Sequence, residues 1–293
     1  MWTRLLHPAS DQDGVSDSVL TLTAIILLLR PLDVWWVAPF VLALACLTLI
    51  LRQVRRAPIT WLLVALLVAV RVAVVWPLSD NHIYLLAYWC LAIGLSLSAP
   101  TPAATLSTNS RWLLTAAFAL AVLWKGVLSP DYVDGRFFRV TLLTDERFAG
   151  ASLVFGGLSQ DQMALNRQFL EPLPDGAVLL SPPPFVEPPR LRAFAAAATW
   201  GGLVLEALVA LLNLLPAGRR IQAARHAALL AFCTTTYALA PVAGFGWLLA
   251  TMGLAQCRTN QRALHGAYVA VFVLILLYSE VPWTGVLADW IGR

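Results

Sequence analysis

Charged side chains are scarce in this sequence, which has 12% Asp, Glu, Lys and Arg against 59% hydrophobic residues and a mean hydropathy of +0.74. A soluble domain carries about a quarter charged residues, so water is excluded as the main solvent of this chain. Lysine is almost absent: Lys125 stands alone against a population of arginines. Those arginines are dispersed, and many sit in short loops between apolar runs. The net charge of +4 and the pI near 9.1 therefore point to membrane orientation and away from nucleic acid. Cysteine is sparse as well. Cys46, Cys90, Cys233 and Cys257 lie in or beside apolar segments with no C-x-x-C pair, which excludes a thiol–disulfide relay. No H-E-x-x-H, H-x-x-E-H or paired-histidine spacing argues for a metal, and no glycine-rich nucleotide loop, internal repeat or low-complexity tract is present. The N-terminal stretch MWTRLLHPASDQDGVSD is polar and acidic and is followed by no small-x-small site, so a cleaved leader is not expected.

What the chain has is apolar runs. A spanning helix needs about 20 mainly apolar residues, because a backbone group left unpaired in hydrocarbon costs several kcal/mol. The segments Val34 to Leu51, Ile59 to Leu78, Ile83 to Ala99, Trp112 to Leu128, Phe194 to Leu215 and Leu264 to Val281 meet this requirement. Ser18 to Leu32 is short and contains Arg30. Ala227 to Gln256 is too long for one ordinary span and is broken by Pro241, Gly244 and Gly246, so it reads as two short helices or a re-entrant hairpin. The expected fold is an all-α, polytopic transmembrane bundle of eight or nine spans with a small non-cytoplasmic insertion. Residues 1–128 form the first group of spans, 129–193 a Pro-rich cap, and 194–293 the second group.

Arg52, Arg55 and Arg56, then Arg111, then Arg219, Arg220 and Arg225, then Arg258 and Arg262 form four basic loops. All four fall on one side if 227–256 is a hairpin, which places the cap outside a bacterial inner membrane. Trp35, Trp36, Trp76, Trp283 and Trp290 fall near predicted span ends, where interfacial aromatics belong. Inside the cap, Ser159 and Gln162 form an S-x-x-Q capping box that predicts a short helix, and Pro172 to Pro189 predicts extended chain.

Ionisable groups within a membrane are costly and mark functional or structural contacts. Arg71 and Glu206 lie deep in their spans at matching depths, which allows an ion pair between them, either structural or in a proton or substrate pathway. Lys125 lies near the outer end of its span in FALAVLWKGVLSPDYVDGRFF, after Trp124 and before Asp131 and Asp134. It reads either as an interfacial anchor that snorkels to water or as a desolvated amine able to act as a base, with the two carboxylates beside it or only capping a turn. Asp80 and His82 precede a span, with Asp80 and Asn81 expected to cap it; convergence of Asp80 and His82 with Lys125 would create a quinol or lipid pocket.

The run Ala-Val-x-x-Lys, 121–125, followed by Asp-Tyr-Val-Asp-Gly, 131–135, resembles the lysine-bearing segment of the HTTM membrane domain shared by vitamin K-dependent γ-carboxylases and their bacterial relatives. The stretch led by His226 and continuing FCTTTYALAPVAGFGWLLATMG resembles the histidine-led helix of that family. The resemblance implies that Lys125 corresponds to the base that deprotonates reduced vitamin K on the lumenal side. It covers Trp112 to Gln256, and the large lumenal domain that holds a protein substrate has no counterpart in this sequence, so glutamate carboxylation is not implied. Two functions follow as expectations. One is an outward-facing pocket for a quinone or lipid-like molecule with Lys125 as base; the other is a non-enzymatic membrane component, such as a transporter, assembly factor or partner subunit, built around the broken helix.

Overall fold

The computed structural model describes residues 17–168, 176, 178, 185–216, 218–239, 242–258, 260–281, 283, 286, 287 and 290. Most of the predicted extended stretch 172–189, and Pro241 at the predicted helix break, lie outside the described residues. Among the described residues all regular structure is helical and no strand occurs.

The first group of helices is α1 (Asp17–Leu29), α2 (Ala38–Ile50), the short basic α3 (Arg52–Arg56), α4 (Pro58–Val75), α5 (Asn81–Leu97) and α6 (Pro102–Leu123), which ends in a π turn, Trp124–Leu128. The cap contains α7 (Pro130–Val133), α8 (Arg136–Thr144) and α9 (Gln160–Gln168). The second group is α10 (Pro189–Leu214), α11 (Arg219–Leu239), α12 (Ala243–Ala255) and α13 (Arg262–Glu280). Proline opens α4, α6, α7 and α10, where its missing N–H is one that no intrahelical carbonyl would have used. Three helices therefore start earlier than their apolar runs suggest. The polar stretches PAATLSTNSR, PRLRA and RRIQAARH are helical too, so α6 begins at Pro102, α10 at Pro189 and α11 at Arg219.

Four helices are long and apolar enough to cross a membrane: Pro58–Val75, Pro102–Leu128, Pro189–Leu214 and Arg262–Ser279. Four more, α1, α2, α5 and α12, are apolar but shorter. At 1.5 Å per residue the 13-residue α1 is about 20 Å long, against a hydrocarbon core of about 30 Å. Apolarity extends to the outer surface of the bundle, with Leu66, Leu120, Val204 and Leu211 among the exposed large residues. A helix set that buries one apolar face and exposes another is made for hydrocarbon.

The stretch 227–256, expected as two short helices or a re-entrant hairpin, holds the end of α11 and the whole of α12, which pack on each other. Helix α12 is apolar all round and is enclosed by its neighbours, α1, α5, α6, α11 and α13. Its glycines set the spacing. A Cβ at Gly253 would lie 2.3 Å from the Tyr268 ring of α13, so only glycine lets these two helices approach so closely.

The cap has its own small core. Leu142 and Leu143 of α8, Leu158, Met163 of α9, and Leu191 and Ala195 of α10 pack together, apart from the main bundle core. The predicted capping box is present: the Gln162 N–H donates to Ser159 Oγ at 3.2 Å, and the Ser159 N–H donates to Gln162 Oε1 at 3.0 Å. Arg139 of α8 grips Glu187 with two hydrogen bonds of 2.5 and 2.6 Å and so ties the chain just before α10 to the cap.

Candidate functional site: a lysine–glutamate pair under the cap

Helices α6 and α10 pack side by side, and the chain leaving α6 runs back along α10, with Gly126 beside Leu203 and Gly135 beside Thr199. Lys125 lies three residues from the end of the α6 unit, and Glu206 lies 17 residues from the start of α10. At 1.5 Å per residue, the first part of α10 therefore projects roughly 20 Å beyond α6, and the cap is built around that projection. Glu206 sits at the junction of bundle and cap. The π turn that carries Lys125 widens the last turn of α6, a distortion often found at functional positions.

Lys125 Nζ lies 2.5 Å from Glu206 Oε1, with the two side chains 29% and 9% exposed. The same ammonium lies 5.2 Å from the centre of the Tyr132 ring, within cation–π range. Burial, and after it the Glu206 carboxylate, push the Tyr132 phenol up, so it stays a neutral O–H. The second oxygen, Glu206 Oε2, is buried without a hydrogen-bond partner among the described residues. A carboxylate oxygen in that condition is expensive and calls for a donor.

Beside the pair is a cavity of about 360 Å³. It is largely apolar, walled by Phe138 and Leu142 of α8, Phe148, Phe194 and Leu205 of α10, and Phe232 of α11; its polar lining is Lys125, Glu206, Tyr132 and the neighbouring Thr235 and Thr236. One face of α10 opens it. Ala197, Ala198, Gly201 and Gly202 keep side-chain volume out, and a Cβ at Gly201 would meet nothing within 4 Å. An apolar chamber with a few convergent polar groups is the usual form of a small-molecule site.

No family model, curated protein or solved structure matches this chain. The functional reading therefore rests on what these side chains can do.

The predicted Arg71–Glu206 pair does not form. Arg71 lies four residues from the end of α4, so its side chain reaches the loops beyond: Nε and Nη2 donate to the two oxygens of Asp33 at 2.8 and 2.9 Å, and Nη1 donates to Ser79 at 2.7 Å. Asp131 and Asp134 do not flank the amine either. Both pair with Arg136, at 2.6 Å each, and both are exposed; the Arg136 backbone N–H and then its guanidinium hold Asp134 below the usual carboxylate range. Trp124 is 63% exposed on the outer surface and is not part of the cavity lining.

Asp80 and His82 do not converge with Lys125. They line a separate, more polar cavity of about 440 Å³ with Arg30, Asp33, Arg71 and Arg147, next to Val242–Gly244 at the helix break. Asp80 occupies the N-cap position of α5, but its side chain makes no capping hydrogen bond. His226 is buried at the other end of the bundle, its Nδ1 2.8 Å from the Tyr268 hydroxyl. Among the described residues, no three His, Cys, Asp or Glu side chains come together as a metal site would require.

Sequence reasoning had singled out Lys125 and Glu206 separately but missed their pairing. The available signal was chemical: they are opposite charges inside two apolar helices. The misleading signal was matching depth, which set Glu206 level with Arg71 although the Arg71 side chain is taken by Asp33 and Ser79.

Proposed function

We propose that this chain is a multi-pass protein of a bacterial inner membrane that binds a quinol- or lipid-like amphiphile in the chamber beside Lys125 and Glu206. Counted with the shorter apolar helices, it makes eight or nine passes, with the cap outside. The observation that carries this reading is the buried Glu206 Oε2, without a hydrogen-bond partner among the described residues, at a largely apolar cavity. The pair offers an incoming head group both an acceptor, Oε2, and the remaining N–H donors of Lys125. A quinol hydroxyl donating to Oε2 can pass its proton to the carboxylate while the ammonium stabilises the oxygen left behind. Lys125, expected as the base, acts in this reading through Glu206, because an ammonium held at 2.5 Å by a carboxylate presents no lone pair of its own. The resemblance of 121–135 to the lysine segment of the HTTM domain supports proton acceptance at this place. The Tyr132 ring packed against Lys125 supports it too, since that tyrosine belongs to the same motif.

The test is extraction and mass spectrometry of what co-purifies with the protein and with Glu206→Leu. The wild type is expected to retain a hydroxyl-bearing amphiphile at about one per chain, and Glu206→Leu to lose most of it, because a hydroxyl stripped of its acceptor loses on the order of 2 kcal/mol. Trp124→Ala, exposed and outside the cavity lining, is expected to retain it. Equal retention by the wild type and Glu206→Leu contradicts the proposal.

A second reading, a non-enzymatic transport or assembly component, is favoured by one observation: the broken-helix residues Val242, Ala243 and Gly244 line the separate polar cavity of Asp80 and His82.

A further inference from the structure

The opposite, basic face of the bundle carries a cavity that the amphiphile chamber does not involve. It measures about 500 Å³ and lies between the first turns of α11 and α13 and the loop that joins α12 to α13. Both helices begin there, so their unpaired first N–H groups and positive dipole ends lie at the same face. Arg219 and Arg258 line it, and neither forms an ion pair among the described residues. Gln222, Asn260 and Gln261 add amide groups, and no carboxylate lines the cavity. His226 lines it as well, 5% exposed, with Nδ1 engaged by Tyr268 and Nε2 making no hydrogen bond among the described residues. The remaining lining is apolar: Ala223, Ala227 and Leu230 of α11 and Leu264 of α13.

Two guanidiniums, two helix N-termini and no acid make a site for an anion, and the apolar part calls for hydrocarbon on the same molecule. We infer that this cavity holds the phosphate of an anionic phospholipid, with the head group at Arg219 and Arg258 and the start of an acyl chain against Leu230 and Leu264. Basic pockets between membrane helices on the positive side of a bundle are the usual place for such lipids. Loop arginines that orient the chain thus gain a second role here. The parallel start of α11 and α13 is what makes the site. It depends on the α11–α12 hairpin, which returns the chain to the basic face before α13 begins.

The experiment uses the full chain in lipid nanodiscs or detergent, with native mass spectrometry as the readout. Added phosphatidylglycerol is expected to bind the wild type, and Arg219→Gln/Arg258→Gln to bind it at least roughly tenfold more weakly. Arg220→Gln/Arg262→Gln, near by but outside the cavity lining, serves as the charge-matched control for the double change and is expected to bind as the wild type does. Arg219→Lys/Arg258→Lys is expected to recover part of the affinity, since lysine keeps the charge and loses the forked geometry. Phosphatidylcholine binding is expected to be the same in all variants. Two results overturn the inference: phosphatidylglycerol binding unaltered in the folded double variant, or glycerol phosphate displacing phosphatidylglycerol at equal concentration, which would mark the ligand as a soluble phosphate compound. Loss of this lipid leaves Glu206 and its chamber untouched, so failure here and failure at the Lys125 site are separately visible.

Discussion

At the scale of residues the account turns on one pair. Removing one member of a buried ion pair leaves the other uncompensated, whereas removing both leaves two apolar side chains that can pack. Lys125→Met is therefore expected to destabilise the protein by about 2–3 kcal/mol, and Lys125→Met/Glu206→Leu by less than either single change. Thermal unfolding of the four proteins in one detergent measures this, and additive losses would show that the pair is not coupled. The residues of this site were legible as individuals, since a lone lysine and a lone deep glutamate stand out in apolar helices. Their partnership was not legible, because it depends on how far α10 projects past α6, a length hidden in the polar residues that open α10. A different cause misled the reading of Arg71. Its side chain is long enough to leave its own helix and reach Asp33 in a loop.

Among the elements, α12 and the cap make separate predictions. Gly253 faces the Tyr268 ring, whose hydroxyl is fixed by His226, so the ring cannot yield. Gly253→Ala is expected to cost about 2 kcal/mol or more by overpacking, whereas Gly266→Ala, on α13 with nothing within 4 Å, is expected to be neutral or to gain up to about 1 kcal/mol. A shift of unfolding temperature in the same direction for both would count against the packing of α12 on α13. In the cap, the Arg139 hydrogen bonds lower the Glu187 carboxyl below its ordinary value of 4.5. A depressed carboxyl stabilises the fold above its unfolded value and loses that contribution as pH falls through its folded value. Hydrogen exchange of α8 is thus expected to accelerate in the wild type as pH drops below about 4.5, after correction for intrinsic exchange. Glu187→Gln is expected to show faster exchange at neutral pH and no such acid step. The capping box that starts α9 and the broken helix were legible, because hydroxyl–amide spacing and glycine punctuation act locally. The short spans were less so: Val34–Val37 are apolar yet belong to the loop before α2, and hydropathy does not separate an apolar loop from a helix.

For the whole molecule, the arginine distribution is the basis for proposing that the basic loops lie on one side and the cap on the other. Single cysteines placed at Gln53 in α3 and at Ser159 in the cap should react with a membrane-impermeant maleimide from opposite faces of intact cells or inverted vesicles, and labelling of both from one face would invert part of the bundle. The cap then has a clear part in the architecture. It packs against the projecting end of α10, so the chamber beside Lys125 has an apolar cover. Such a place admits a molecule with a long apolar body and one polar end. The most direct test is a cryo-EM structure of the protein purified with its native lipids. Density for an amphiphile along Phe138, Phe194 and Phe232 with its polar end within hydrogen-bond distance of Glu206 Oε2 is the predicted result. A chamber closed by its own side chains, with Oε2 bonded to another protein group, would contradict it.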